Sequence, residues 1–218
     1  MKAEQIHNKG QARLFQNPIL ESLTKTHPLA IWGMYIPIMS FMLYYASAHF
    51  QQSAGTILAL FFAGMFFWTF FEYIMHRFVY HFVSENKHIQ RFVFIFHENH
   101  HHYPRDTQRL FLPPVPSILI ASILFTAMYF VFSLFPLPGL VLSFYPGFIL
   151  GYLLYASMHF AIHAWKPPFK WMKPLWRNHH LHHYKQQEKG FGVSSTLWDR
   201  IFGTMFDKEE DRSKTENL

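Results

Sequence analysis

Sixteen histidines in 218 residues, with no cysteine beside them, make imidazole the main metal-binding chemistry this sequence has to offer. Ten of them fall into four groups. His76 and His81 sit in HRFVYH, and His97, His100 and His101 form H-x-x-H-H within HENHHHYP. His159 and His163 form H-x-x-x-H in MHFAIH, and His179, His182 and His183 repeat H-x-x-H-H within HHLHHY. Residues three and four apart share a helix face, so each H-x-x-H-H is expected to aim three rings in one direction. The gap of five between His76 and His81 misplaces the second ring by about 140° on an ideal helix, so a helix end or a distortion is expected there. Ten ligands are too many for one ion. Two ions with about five nitrogens each, and one position open for oxygen or water, fit the count.

The other histidines carry less. His7, His27, His49 and His88 stand alone and read as surface or satisfied residues, and His102 and His180 as members of the motifs that either support the ligands from outside or are incidental. A loose metal-buffering tract would be low in complexity, whereas these groups recur at helical spacing. Imidazole suits zinc, copper, iron and nickel alike. Zinc normally takes four ligands, so ten histidines oversupply two zinc ions. Iron accepts five or six and can activate oxygen. Iron (Fe) is therefore the expected metal, zinc (Zn) an ion that purified protein can carry, and dioxygen (O2) the co-substrate. The absence of cysteine excludes disulfides, thiolate-held haem and cysteine-ligated iron–sulfur clusters in this chain.

The elements that must position these rings are apolar helices. Half the residues are hydrophobic and only 15% are charged, against about 25% in an ordinary soluble domain. Residues 28–50, 54–75, 115–135 and 140–163 are each long and apolar enough to cross a bilayer, and they come as two hairpins. Pro28 suits a helix start, and Pro37 is expected to kink the first span. Of the nineteen Lys and Arg, four precede the first span, five lie between the hairpins and ten follow the fourth; neither hairpin turn carries one. By the positive-inside rule, both termini and the central loop are cytoplasmic. The segments at 76–114 and 165–218 follow the two helices that run inward, so they meet on one face. The expected fold is an all-α integral membrane protein, multi-pass, with four transmembrane helices and a cytoplasmic helical cap holding a histidine-rich dimetal site. It is a single domain over 1–218, with a cytoplasmic segment at 1–27 and a charged tail at 209–218. The formal charge of +6 belongs to this sorting, since no nucleic-acid motif accompanies it. No secretory signal peptide is read in the first 27 residues.

These boxes, in this order, resemble the histidine boxes of the fatty acid hydroxylase and sterol desaturase superfamily, over about 68–206. Three stretches narrow the likeness: WTFFEYIMHRFVYH (68–81), HHYPRDTQRLFLPP (101–114) and GFGVSSTLWDRIFGT (190–204). They are similar to the fatty acid 2-hydroxylases, which act on acyl chains of ceramides and related lipids. The resemblance implies metal ligands at His76, His81, His97, His100, His101, His159, His163, His179, His182 and His183. It implies hydroxylation of a fatty acid or sphingolipid, at the 2-position, within membrane lipids. Eukaryotic relatives often carry a haem-binding electron-carrier domain with an HPGG motif. None fits here, so electrons are expected from a separate donor, a haem or iron–sulfur carrier with its reductase. Relatives also often have Asp after the tyrosine matching Tyr155, where this chain has Ala156.

Glu72 lies one turn before His76 near the end of a membrane span, where an ionisable group is a functional candidate; it is expected to orient a ligating imidazole. Asp106, Arg109 and Tyr155 are further candidates for supporting the site. Trp165, Trp171 and Trp176 read as an interfacial aromatic belt. Within enzymes, the alternative is another lipid hydroxylase or desaturase of the superfamily, acting on a carotenoid or sterol. From another class comes a membrane metal transporter, which would place its ligands near the midplane rather than at helix ends.

Overall fold

The computed structural model describes residues 6–135 and 137–206; the charged tail at 209–218 and the first five residues lie outside the described residues. The helices are α1 (Pro18–Ser22), α2 (Pro28–Ala48), α3 (Ala54–Ile74), α4 (Lys87–Val93), α5 (Asn99–His102), α6 (Pro114–Ser133), α7 (Val141–Ala164), α8 (Lys173–Tyr184) and α9 (Leu197–Ile201). Two π-helical segments, Met75–Tyr80 and Phe94–Glu98, interrupt this order. Prolines stand at the first turns of α1, α2, α6 and α8, where the missing N–H costs nothing. Asn17 caps α1 through its side-chain oxygen, and His27 caps α2 by accepting from the Leu29 N–H at 3.2 Å. Helix α2 runs on through Pro37. Among the described residues, four helices are long and apolar enough to cross a membrane: α2, α3 with its π-helical extension, α6 and α7.

The chain divides into two compact units. The first comprises Arg13–Trp68 and Gln108–Ser157, and so takes in α1, α2, α6 and most of α3 and α7. Lipid tails are as apolar as leucine, so burial alone does not hold such helices together; close approach and a few hydrogen bonds must. The close approach comes from glycine. A Cβ on Gly64 of α3 would strike the backbone of Phe144 on α7, and one on Gly147 would strike the backbone of Phe61. Gly147 and Gly151 form a G-x-x-x-G pair, and Trp68 packs against Gly151. The hydrogen bonds join α2, α6 and α7. Tyr35 meets Ser117 at 2.8 Å, Tyr145 donates to the Ala121 carbonyl, and Trp32 donates to Ser157 at 3.1 Å. Gln52 in one hairpin turn donates to the Gly139 carbonyl in the other at 2.7 Å and accepts from Ser143 at 2.6 Å. Both turns therefore lie at one end of this unit. Large apolar side chains such as Phe41, Phe62, Phe66 and Phe130 remain more than half exposed, as a lipid-facing surface requires.

The second unit comprises Met1–Ala12, Thr69–Thr107 and Met158–Leu218. It is built from short helices, the two π-helical segments and a loop at 185–196. Its N-terminal arm is tied down by His7 N–H donating to the His102 carbonyl (2.8 Å) and by Gln11 donating to Asp106 (3.1 Å). Tyr184 adds a bond to Asn8 at 2.9 Å.

Candidate metal centre

All ten grouped imidazoles lie in the second unit, and they converge as two sets of five. His76, His81, His97, His101 and His182 bring one ring nitrogen each to within 4.8 Å of one another; His100, His159, His163, His179 and His183 do the same. In the first set, His97 Nε2 lies 3.0 Å from His76 Nε2, 3.2 Å from His81 Nε2 and 2.9 Å from His101 Nε2. In the second, His179 Nε2 lies 2.9 Å from His163 Nε2 and 3.1 Å from His183 Nε2.

These distances suit metal coordination better than hydrogen bonding. A ring nitrogen carries at most one hydrogen, which points at one partner, yet His97 Nε2 has three nitrogen neighbours. Two nitrogens about 2.1 Å from one ion would be about 3.0 Å apart at a right angle and about 3.4 Å apart at the tetrahedral angle. The shortest observed spacings, 2.9–3.2 Å, lie nearer the right-angle value, which would suit an ion with more than four ligands. Burial suits the same purpose. It holds His97, His100, His101, His179 and His183 well below the ordinary imidazole pKa, and brings His182 down to about 3. Neighbouring imidazoles lower them further. A neutral ring keeps the lone pair a metal needs. His100 Nε2 and the Nδ1 atoms of His101, His179 and His183 are buried without a hydrogen-bond partner among the described residues.

The partition differs from the expected one. Each H-x-x-H-H does not aim three rings one way: His97 and His101 join one set while His100 joins the other, and His179 and His183 join one set while His182 joins the other. On a helix, positions i and i+4 are only about 40° apart, whereas i+3 and i+4 differ by about 100°. Two rings therefore go to one side and the third to the other, and each motif supplies both sets. The five-residue gap is resolved by the π-helix Met75–Tyr80, whose i→i+5 pattern widens the turn and brings His76 and His81 into one set.

What orients the rings is a loop. His76 Nδ1 lies 2.6 Å from the Phe191 carbonyl and His182 Nδ1 lies 2.7 Å from the Lys189 carbonyl. A carbonyl only accepts, so each Nδ1 carries the hydrogen and each Nε2 keeps its lone pair. Glu72 grips the same loop: its carboxylate accepts from the Val193 N–H (3.0 Å), the Ser194 N–H (2.9 Å) and the Ser194 hydroxyl (2.6 Å). Its path to His76 thus runs through the 191–194 backbone.

Asp199, which sequence reasoning passed over, is fully buried and accepts from the N–H groups of Phe191 (2.9 Å) and Gly192 (2.8 Å) and from the Thr204 hydroxyl (2.8 Å). Asn178 donates to it at 3.3 Å. Burial raises the pKa of this carboxyl, against the pull of those donors. The signal available beforehand was an acid seven residues after the second glycine of GFGV. Gly190 has φ +75°, and a Cβ at Gly192 would collide with Ser195 O and press on Asp199.

The remaining candidates scatter. Asp106 is buried and receives the N-terminal arm through Gln11. Tyr155 belongs to the other unit, where it packs on Trp68, and Arg109 is ion-paired there with Glu21. Trp165 and Trp171 are exposed, as an interfacial belt requires, but Trp176 is buried on the inner face of α8 and donates to the Trp165 carbonyl at 2.8 Å. A cavity of about 360 Å³ opens beside the first set, lined by Tyr80, Val83 and Glu98 and by three of its imidazoles, His81, His97 and His101.

The sequence profile described as "Fatty acid hydroxylase" matches residues 61–204. The chain is 36% identical to the ceramide very long chain fatty acid hydroxylase of Saccharomyces cerevisiae, over 97% of this chain and 55% of that protein. It is 32% identical to a dihydroceramide fatty acyl 2-hydroxylase of Arabidopsis thaliana, over 92% of this chain and 82% of that one. A solved structure described as full-length scs7p, with only its hydroxylase domain visible, superposes with a TM-score of 0.80 at 35% identity, covering 91% of this chain and 74% of that one. The chain thus spans about half the length of the yeast relative and about four fifths of the plant one.

Proposed function

The chain belongs to the fatty acid hydroxylase family, and we propose that it is an oxygen-dependent membrane hydroxylase acting on carbon 2 of the acyl chain of a fatty acid or sphingolipid. The observation that carries this reading is the pair of five-imidazole sets. The relatives, named for hydroxylation of ceramides and fatty acyl chains, support the substrate class. The ten imidazoles would hold two iron ions, five ligands each. A bound iron pair supplies the redox chemistry by which dioxygen oxidises an unactivated C–H bond, which no side chain performs.

The chain's own part is to hold the rings neutral, fix their tautomers through the 189–191 carbonyls and present an accessible face beside His81, His97 and His101. Placing one oxygen atom in the product and the other in water consumes two electrons and two protons. With no cysteine among these residues to hold an iron–sulfur cluster, the electrons are assigned to a haem or iron–sulfur carrier and its reductase. The sorting of Lys and Arg supports a site at the cytoplasmic face. His76 and His159 lie in the last turns or so of apolar helices, which favours a carbon near the lipid head group over a remote one.

The test is to express the chain and a His100→Ala variant with an electron donor and to compare membrane lipids by mass spectrometry. Acyl species heavier by one oxygen at carbon 2, absent from the variant, are expected. Iron-loaded protein with an active donor and no such product overturns the reading.

A further inference from the structure

Directly after Ala164, the last residue of α7, comes the segment WKPPFKWMK at 165–173. Its aromatic side chains, Trp165, Phe169 and Trp171, are more than half exposed, and Lys166, Lys170 and Lys173 are exposed between and beside them. Single exposed apolar residues need no explanation, but three large rings within seven residues do. The exposure is not that of a loose loop. The Phe169 and Trp171 rings lie parallel, with centroids 6.0 Å apart, and Trp165 packs edge-on against Phe160. Pro167 and Pro168 fix φ between the first ring and the second. Met172 is buried, and its N–H donates to the Phe169 carbonyl at 3.1 Å. The indole N–H of Trp176, in α8, donates to the Trp165 carbonyl at 2.8 Å. The rings and lysines are thus held outward on a fixed frame. Along the chain the charge here has one sign, since no Asp or Glu stands between Asp106 and Glu188.

We propose that residues 165–173 form a binding site for anionic phospholipid, in which Trp165, Phe169 and Trp171 seat at head-group level and Lys166, Lys170 and Lys173 pair with lipid phosphates. Indole rings prefer the head-group layer, with one end apolar and the other wet. Each lysine near a negative lipid surface strengthens attachment by about 5-fold, whereas the choline of a zwitterionic lipid cancels the charge of its own phosphate. An acidic protein would satisfy the lysines too, but exposed rings that begin one residue past a membrane span match the bilayer better. The frame means that little ordering is lost on binding. The inference rests on the four apolar spans and is independent of the metal reading.

The experiment reconstitutes the full chain in phosphatidylcholine vesicles and measures quenching of tryptophan emission by brominated acyl chains. Brominated phosphatidylglycerol and brominated phosphatidylcholine are compared at the same mole fraction. The share of emission belonging to the segment is the part that Trp165→Phe/Trp171→Phe removes. That share should be quenched at least about 2-fold more strongly by the phosphatidylglycerol. The excess should vanish in Lys166→Gln/Lys170→Gln/Lys173→Gln, whose exposed positions leave the fold intact, and persist in the corresponding triple arginine variant. Raising salt from about 0.1 M to about 1 M shortens the screening length from about 10 Å to about 3 Å and should remove most of it. Equal quenching by the two lipids in wild type overturns the proposal, as does an excess that survives the glutamine variant. Absence of quenching by either lipid, with donor-driven turnover slowed by the glutamine variant, overturns it in favour of a surface for an acidic protein.

Discussion

In the apolar unit two helices meet backbone to backbone, where Gly64 and Gly147 let α3 and α7 approach so nearly that a methyl group would not fit. In the imidazole unit ring nitrogens crowd together about 3 Å apart. The first kind of contact is satisfied by the chain alone. The second is a set of lone pairs facing one another, unfavourable unless something positive sits among them. The comparison teaches that the apolar unit can be stable on its own terms, whereas the crowding of the imidazole unit is what the proposed ions would relieve. Changes in one unit should therefore be read by different instruments from changes in the other.

The largest effect should follow from removing the ring at the centre of the first set. His97→Ala deletes the nitrogen that has three others around it. Metal content, measured by elemental analysis, should fall from two ions per chain to about one. Hydroxylation should drop by more than about 100-fold, beyond what the loss of an outer partner causes. The helical signal in circular dichroism should be retained, since the apolar unit makes none of these contacts. A full complement of two ions in this variant would break the assignment of the first set.

A smaller effect is expected in the other unit. Gly147→Leu forces a side chain into the Phe61 backbone on α3, an overpacking that costs about 2–3 kcal/mol. Thermal unfolding in detergent should shift down accordingly. The protein that remains folded should still carry two ions per chain. A loss of metal in step with the loss of folded protein would sharpen the comparison differently, showing that the two units melt as one.

How much of this was legible beforehand follows the same division. The apolar helices read directly from hydropathy, and α2, α3, α6 and α7 fall within two residues of the expected bounds, because burial in lipid acts on every residue of a span. The ten grouped histidines stood out by type and spacing. Their sorting did not: His97, His100 and His101 look like one cluster in the sequence, and only the rotation of about 100° between adjacent positions separates the last two. The distortion anticipated between His76 and His81 took the form of a π-helix, which local sequence does not announce. Asp199 was invisible for another reason. Two of its partners are the backbone N–H groups of Phe191 and Gly192, and a backbone group leaves no mark in composition.

The smallest expected effect separates the units by pH. Glu21, in the apolar unit, accepts from the N–H groups of Leu14 (2.9 Å) and Phe15 (2.8 Å) and pairs with Arg109, which also donates to Thr24. Burial works to raise the pKa of this carboxyl, but those N–H groups, Arg109 and Lys25 together outweigh it and bring it below the ordinary value. A carboxyl lowered on folding adds stability that is present above its unfolded pKa, about 4.3, and is lost as pH falls through the folded value. Glu21→Gln should therefore destabilise by about 1 kcal/mol at pH 7, a shift of a few degrees in melting. The difference from wild type should shrink below about pH 4, where both side chains are uncharged. Metal content at neutral pH should not change, because Glu21 and all its partners here lie outside the imidazole unit. A melting difference that persists undiminished at pH 3 would mean that shape rather than charge holds the N-terminal segment in place.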